Sequence, residues 1–280
     1  MPALGQPWAS EGPTTGLQTG FRRGGDANTC GTLVAAGGTI DVVPCPRVRQ
    51  MHMTFLGFRA SAIPLHRNPI QQVGPSPIQG FERLMKDAVD FLGALSLIFV
   101  CLPIFLVVPI LIYLDSGGPV IFTQYRFGEG GRLFRIYKFR TLHAHQQDLS
   151  GIRQVCRQDP RVTRIGRFLR ASSIDELPQL FNVLRGDLSL VGPRPHPLSM
   201  RTEGRLSLDI TPKYMQRYRV KPGMTGLAQI RGHRGPMSSS DQLVARVESD
   251  LEYIETWSLA QDLKILLLTP VRLVTQSVPR

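Results

Sequence analysis

Acidic residues are in short supply: 21 Asp and Glu stand against 33 Lys and Arg, leaving a formal charge of +12 over 280 residues. A surface this basic disfavours cationic ligands and points to anions: nucleic acid, anionic lipid or phosphorylated substrates. Cysteine is scarce too. Cys30, Cys45, Cys101 and Cys156 are scattered and none forms a CxxC pair, which argues against a zinc ribbon and against the disulfide framework of a small secreted domain. There is no GxGxxG and no Walker P-loop, so nucleotide binding of those two types has no support. No apolar stretch follows a charged start, so a secretory leader is not expected. Nor is there a basic motif interleaved with aromatics, and nucleic acid is not expected as a partner.

The organisation divides at two places. Residues 1–79 are rich in Gly, Pro, Ser and Thr, as in "GQPWASEGPTTG" and "NPIQQVGPSPIQG", and are expected to be a flexible, disordered segment with too little apolar surface to fold. Residues 80–115 contain "FLGALSLIFVCLPIFLVVPILIYL", 24 residues without a charge. A straight helix of that length reaches roughly 36 Å, enough to cross a bilayer core. Pro103 and Pro109 argue against a straight helix, because each removes a backbone donor and clashes with the turn before it. A break at Pro103 leaves two half-helices that enter and leave by one face. Arg83 and Lys86 before the segment, and Arg126, Arg132, Arg135, Lys138 and Arg140 after it, carry positive charge on both sides. A single span keeps its positive flank on one side only, so the charges favour re-entry.

Residues 116–275 are expected to form the functional domain. "GPVIFTQ" and "FRIYKF" with "GEGG" between them predict a β-hairpin. In "PRVTRIGRFLRAS", Val162, Ile165, Phe168 and Leu169 recur at helical spacing beside a basic stripe of Arg161, Arg164, Arg167 and Arg170. That is the pattern of an amphipathic helix on a membrane surface. "VARVESDLEYIETWSLAQDLKILLL" predicts a further helical stretch, with Tyr253 and Trp257 as interfacial aromatics. The fold class expected is α+β, predominantly helical, with a proline-broken membrane helix, amphipathic interfacial helices and a small hairpin.

The chemistry centres on "ASSIDELPQLFNVL". Ser173 and Glu176 have capping-box spacing, but Pro178 then falls where its ring meets the Ile174 carbonyl. A helix starting one or two residues later places Asp175 and Glu176 at its N-terminus, where free N–H groups favour carboxylates and phosphate. Of two adjacent carboxylates, one can attack phosphorus while the other holds a metal. Carboxylates combined with phosphates select a hard cation, Mg²⁺. Arg170, Lys138 and Arg140 of "YKFR", and Arg194 on the rigid "VGPRPHP" frame supply phosphate-binding charge. His143 and His145 lack a third metal ligand of suitable spacing; His196 and His233 complete the histidines near these motifs.

"KFRTL", "RVTRIGRFLRASSIDELPQLFNVLRGDLSLVGPRP" and "RYRVKPGMTGLAQIRG" resemble the bacterial sugar transferases, the monotopic polyprenyl-phosphate phosphoglycosyl transferases that initiate exopolysaccharide assembly. The resemblance covers roughly residues 81–275. It implies transfer of a sugar phosphate from a UDP-sugar to undecaprenyl phosphate, with release of UMP, at the cytoplasmic face of the bacterial inner membrane and in contact with its lipids. It further implies Asp175 as nucleophile of a covalent phosphosugar intermediate, Glu176 as Mg²⁺ ligand, and Lys138, Arg170 and Arg194 beside the phosphates. The family's re-entrant helix, broken near a proline, aligns with Pro103. The chain departs from the family pattern at Leu102, often Ser, and Gly117, often Pro. It departs also at "PMSSSDQ" and at Ala260 and Gln261, in a region that affects donor choice. "RGHRG" leans toward glucose-1-phosphate; UDP-galactose or a UDP-N-acetylhexosamine are the alternative donors. A catalytically silent membrane adaptor is the alternative of another class. With a polar N-terminal segment, a minimal single-domain form is expected.

Overall fold

The computed structural model describes residues 73–275 apart from 153, 157 and 234. The expectation for the N-terminal segment therefore lies outside the described residues up to position 72, as do Cys30 and Cys45. The described residues form an α+β fold in which helices dominate and the strands make three two-stranded sheets.

The uncharged run forms two helices, α1 (Gly80–Val100) and α2 (Leu102–Ser116), which meet at Cys101 with a bend of 62°. Among the described residues no single helix is long and apolar enough to cross a membrane; this bent pair meets the test of length and composition together. Pro103 lies in the first turn of α2, where its missing N–H is not needed. It starts the second helix, and the break falls two residues earlier than the proline. The N–H groups of Ile104 and Phe105 both reach the Cys101 carbonyl, at 2.9 and 3.1 Å. Much of the pair turns apolar side chains outward: Phe99 is 79 % exposed, Leu114 74 % and Leu106 64 %.

The expected hairpin forms from β1 (Ile121–Phe127) and β2 (Leu133–Phe139), with Gln124 opposite Ile136. Gly130 and Gly131 take positive φ at the turn, which their missing Cβ permits. The arginine-rich helix α3 (Arg164–Ala171) is capped by Thr163, whose hydroxyl accepts from the Gly166 N–H at 2.9 Å. Its basic stripe is shorter than expected: Arg161 precedes the helix and is buried, donating Nη2 to Asp159 at 2.6 Å. Phe168 is exposed and Leu169 fully buried, as amphipathic spacing requires.

After α4 (Gln179–Leu184), β3 (Ser189–Val191) runs parallel to a strand supplied by the "KPGMTG" segment. Between them come the short pair β4 (Arg201–Thr202) and β5 (Arg205–Leu206), then α5 (Ser207–Ile210). The parallel partner of β3 is β6 (Gly223–Thr225). The backbones of Gly192 and Gly223 approach so closely that a Cβ on Gly223 would lie 2.1 Å from the Gly192 nitrogen, so both positions require glycine. Short α6 (Leu227–Ile230) follows.

The terminal helical stretch divides at residues 256–258 into α7 (Ser240–Glu255) and α8 (Leu259–Thr275). Tyr253 and Trp257 are not surface aromatics. Tyr253 is 1 % exposed and donates its hydroxyl to Asp262 at 2.7 Å, and the Trp257 indole donates to Asp262 at 3.1 Å. Both have a polar tip satisfied inside the protein, which overrides their preference for an interface. The main core gathers Leu180, Leu188, Tyr218, Leu243 and Ile254; a second cluster joins Val108 and Ile112 of α2 to Phe139 and Leu169.

Candidate active site

Asp175 and Glu176 lie in a 3₁₀ turn, Ile174–Glu176, entered through Ser173 at φ 58°. The turn closes by Glu176 N–H to the Ser173 carbonyl, 3.2 Å, and Leu177 N–H to the Ile174 carbonyl, 3.1 Å. Neither a capping box nor a helix start on the acidic pair forms. Pro178 has no N–H to continue the turn and opens α4 instead, leaving the carboxylates in a tight turn of their own. Their charge is therefore answered by side chains.

Glu176 is the better satisfied. Lys138 Nζ donates to Oε1 at 2.7 Å, Arg194 Nη1 to Oε2 at 3.0 Å, and Arg194 Nη2 closes the bidentate pair on Oε1. Burial works to raise the Glu176 pKa, but Arg194 and Lys138 outweigh it and hold the carboxyl well below its ordinary value. Asp175 moves the opposite way. It is 7 % exposed, and burial, helped by the neighbouring Glu176 charge, pushes it up to about 6 against the pull of Lys138, Arg170 and Arg194. Two adjacent carboxyls thus take different states: Glu176 is an anion fixed by cations, and Asp175 ionises near neutrality. Burial also lowers the Lys138 ammonium, whereas the Glu176 charge raises the Arg194 guanidinium.

Lys138 comes from β2 and Arg194 from the loop after β3. Arg170, in the last turn of α3, is exposed and adds positive potential at Asp175. Arg140 does not join them. It is 1 % exposed, and its Nη2 donates to Ser116 Oγ at 2.8 Å and to the Gly117 carbonyl. Lys138 and Arg140 would share a face if the strand continued, but β2 ends at Phe139. Arg140 accordingly binds the turn between α2 and β1. Pro103 belongs to the helix pair and not to the site.

Behind Arg194 lies a buried polar network that no motif in the sequence marks. Arg217 is fully buried, pairs with Asp250, and donates Nη2 to the Arg194 carbonyl at 2.9 Å. His196 Nδ1 lies 2.9 Å from the Tyr214 hydroxyl, and burial together with Arg217 holds the imidazole pKa well below its ordinary value, so the ring is neutral. Arg126, counted in the sequence only as flanking charge, donates Nη1 to the Pro195 carbonyl at 2.9 Å. Its sequence signal is period-two spacing from Gln124 on a predicted strand. His143 caps and His145 lies within the 3₁₀ turn Ala144–Gln146, with their rings 6.0 Å apart. Among the described residues no group of three or more His, Cys, Asp or Glu is placed to hold a metal.

The arrangement sets one carboxylate held ionised by Lys138 and Arg194 and one buried carboxyl among three cations, a surrounding suited to an anionic phosphate group. The sequence pattern described as bacterial sugar transferase matches residues 81–276. The chain is 46 % identical, over 73 % of its length, to an undecaprenyl-phosphate glucose phosphotransferase of Komagataeibacter xylinus, of which it spans 40 %. It is 45 % identical over 69 % of its length to the exopolysaccharide production protein PSS of Rhizobium leguminosarum bv. phaseoli, spanning 96 % of that protein. A UDP-glucose:undecaprenyl-phosphate glucose-1-phosphate transferase of Caulobacter vibrioides is 47 % identical over 72 % of this chain, which spans 74 % of it.

Proposed function

The chain belongs to the bacterial sugar transferase family, and on that premise we propose that it moves a sugar-1-phosphate, glucose-1-phosphate first, from a UDP-sugar to undecaprenyl phosphate. Asp175 is the nucleophile. Its ionised carboxylate oxygen forms a bond to the phosphorus that carries the sugar while the bond from that phosphorus to the bridging oxygen breaks, and UMP leaves with the bridging oxygen. An oxygen of undecaprenyl phosphate then attacks the same phosphorus and returns Asp175 as a carboxylate. Lys138, Arg194 and Arg170 bind and orient the phosphate oxygens and stabilise their charge as the bonds change.

The observation that carries this reading is the buried Asp175 carboxyl set directly beside Glu176, whose own carboxylate is held by three hydrogen bonds from Lys138 and Arg194; the opposite displacement of the two carboxyls agrees with it. Glu176 also suits a metal. Three hydrogen bonds occupy its carboxylate, leaving one of about four lone-pair directions. Mg²⁺ takes one or two carboxylates and completes its shell with water and substrate phosphates. Glu176, with Asp175 alongside, would hold the ion, which when bound neutralises phosphate charge.

The bent pair α1–α2, with its outward Phe99, Leu106 and Leu114, supports a re-entrant anchor in the bacterial inner membrane. Arg83, Lys138 and Arg194 then lie together on the cytoplasmic side. So large an apolar surface is rare on a protein that meets only water.

Detergent-purified protein given undecaprenyl phosphate, Mg²⁺ and each UDP-sugar in turn is expected to release UMP, fastest with UDP-glucose. Release only with UDP-galactose or a UDP-N-acetylhexosamine reassigns the donor. Absence of UMP with every donor overturns the enzyme reading in favour of an adaptor.

A further inference from the structure

Arg194 stands between Pro193 and Pro195, neither of which has an N–H to tie the loop down. The loop is held from outside, on two sides. On one, Arg217 donates to the Arg194 carbonyl at 2.9 Å, its charge met by Asp250. On the other, Arg126 donates Nη1 to the Pro195 carbonyl at 2.9 Å and Nη2 to Gln124 Oε1 at 2.6 Å. Gln124 is itself fixed, donating Nε2 to the Leu149 carbonyl at 3.1 Å. The Arg126 backbone forms an isolated antiparallel bridge to Pro197. Both side chains leave the same face of β1, two residues apart.

The two clamps differ in electrostatics. Arg217 has a carboxylate, whereas Arg126 forms no salt bridge among the described residues and grips only neutral oxygens. Arg126 is half-buried, with its Nε enclosed and without a hydrogen-bond partner; a cation held this way is costly, and its two hydrogen bonds give it a geometric role that a neutral side chain would not fill.

We propose that Arg126 is a positioning residue for the transfer: by fixing the Pro195 carbonyl, it sets the Arg194 guanidinium against Glu176 and the substrate phosphate. The proposal rests on the reading of Arg194 as a phosphate-binding residue.

Three variants test it: Arg126→Met, Arg126→Lys and Arg194→Ala, with the double variant of Met and Ala. Arg126→Met is expected to lower kcat for UMP release by roughly tenfold to a hundredfold, the scale of a misplaced catalytic group, with KM for the UDP-sugar changed less than about threefold. Arg126→Lys, which reaches one of the two acceptors, recovers part of the loss. In the Arg194→Ala background, Arg126→Met has no further effect, because its influence passes through Arg194. Losses that multiply in the double variant, or a rise in KM with kcat intact, overturn the proposal in favour of direct substrate contact. Unchanged activity per folded molecule overturns it in favour of a purely structural role.

Amide hydrogen exchange keeps this separate from the enzyme reading. If the unaltered protein releases no UMP from any donor, that reading fails. Faster exchange in Arg126→Met confined to residues 194–200 still supports the clamp, and unchanged exchange there overturns it.

Discussion

Asp175 and Glu176 are neighbours in the chain with opposite environments, and single substitutions separate their roles. A carboxyl whose folded-state pKa is raised stabilises the fold at low pH and loses that contribution as pH rises through the folded value. For Asp175 the window runs from its ordinary 3.8 up to about 6. At pH 8 its ionised form therefore opposes folding, by on the order of 1–3 kcal/mol. Asp175→Asn is expected to abolish UMP release, since an amide is not a competent nucleophile, and yet to raise the thermal midpoint at pH 8. An inactive variant that melts lower would place the burial strain elsewhere. Without Mg²⁺, the gain in thermal midpoint from Asp175→Asn should grow as pH rises from 4 through about 6; a gain independent of pH over that range would remove the raised Asp175 pKa. Glu176→Gln leaves Lys138 and Arg194 facing a neutral amide. It should reduce turnover by roughly a hundredfold or more and shift the Mg²⁺ titration of UMP release to higher concentration. Preserved turnover would show that the cation clamp is dispensable.

At the scale of elements, the deciding unit is the pair α1–α2. The bend at Cys101 is held by packing beyond the two helices: Phe105 of α2 meets Phe139 at 5.8 Å and Phe181 at 5.4 Å between ring centroids. Gly93 lets α1 approach β3, because a Cβ there would lie 2.7 Å from Leu190 Cδ1. If the pair is re-entrant, its two ends lie on one side of the membrane. Single cysteines at Gln79 and Pro119, both exposed, in a background lacking the native cysteines, should both react with an impermeant reagent from the cytoplasmic side only. Labelling from opposite sides would restore a spanning helix and remove the re-entrant reading.

Across the whole molecule, a buried ionic cluster joins elements distant in sequence. Lys86 of α1 donates to Asp262 of α8 at 2.6 Å and to the Val191 carbonyl at 3.1 Å, and lies 3.8 Å from Asp90. Asp90 accepts from the Leu190 N–H at 2.9 Å. The cluster thus grips β3 immediately before the loop that carries Arg194. Lys86→Met strands two buried carboxylates and is expected to destabilise the protein by about 3–5 kcal/mol in thermal or denaturant unfolding. Adding Asp262→Asn should recover part of that loss. A change below about 1 kcal/mol would mean that the cluster is hydrated or that its charges relax.

Local chemistry made some features legible in the sequence, because each depends on neighbours within a few residues. The uncharged run implied helices, and its proline placed the break to within two residues. The alternating runs around "GEGG" implied the hairpin, and "IDELP" marked the acidic pair, but the helix start expected on that pair is a 3₁₀ turn, because Pro178 opens the helix after it. The spacing of arginines implied α3 but included Arg161 wrongly, since only backbone geometry decides where a helix begins. Other features depended on segments meeting in space. Tyr253 and Trp257 read as interface aromatics until Asp262 was found beneath them. Arg140 looked equivalent to Lys138, although a strand ending one residue earlier turned it to the α2–β1 junction. Arg126 and Arg217 were two basic residues among 33. The sequence by itself determined which residue types were available for phosphate chemistry and where the chain must turn. The tertiary structure alone decided which cations face Glu176 and how far Asp175 is buried, because charge and desolvation depend on distances between segments that the order of residues does not record.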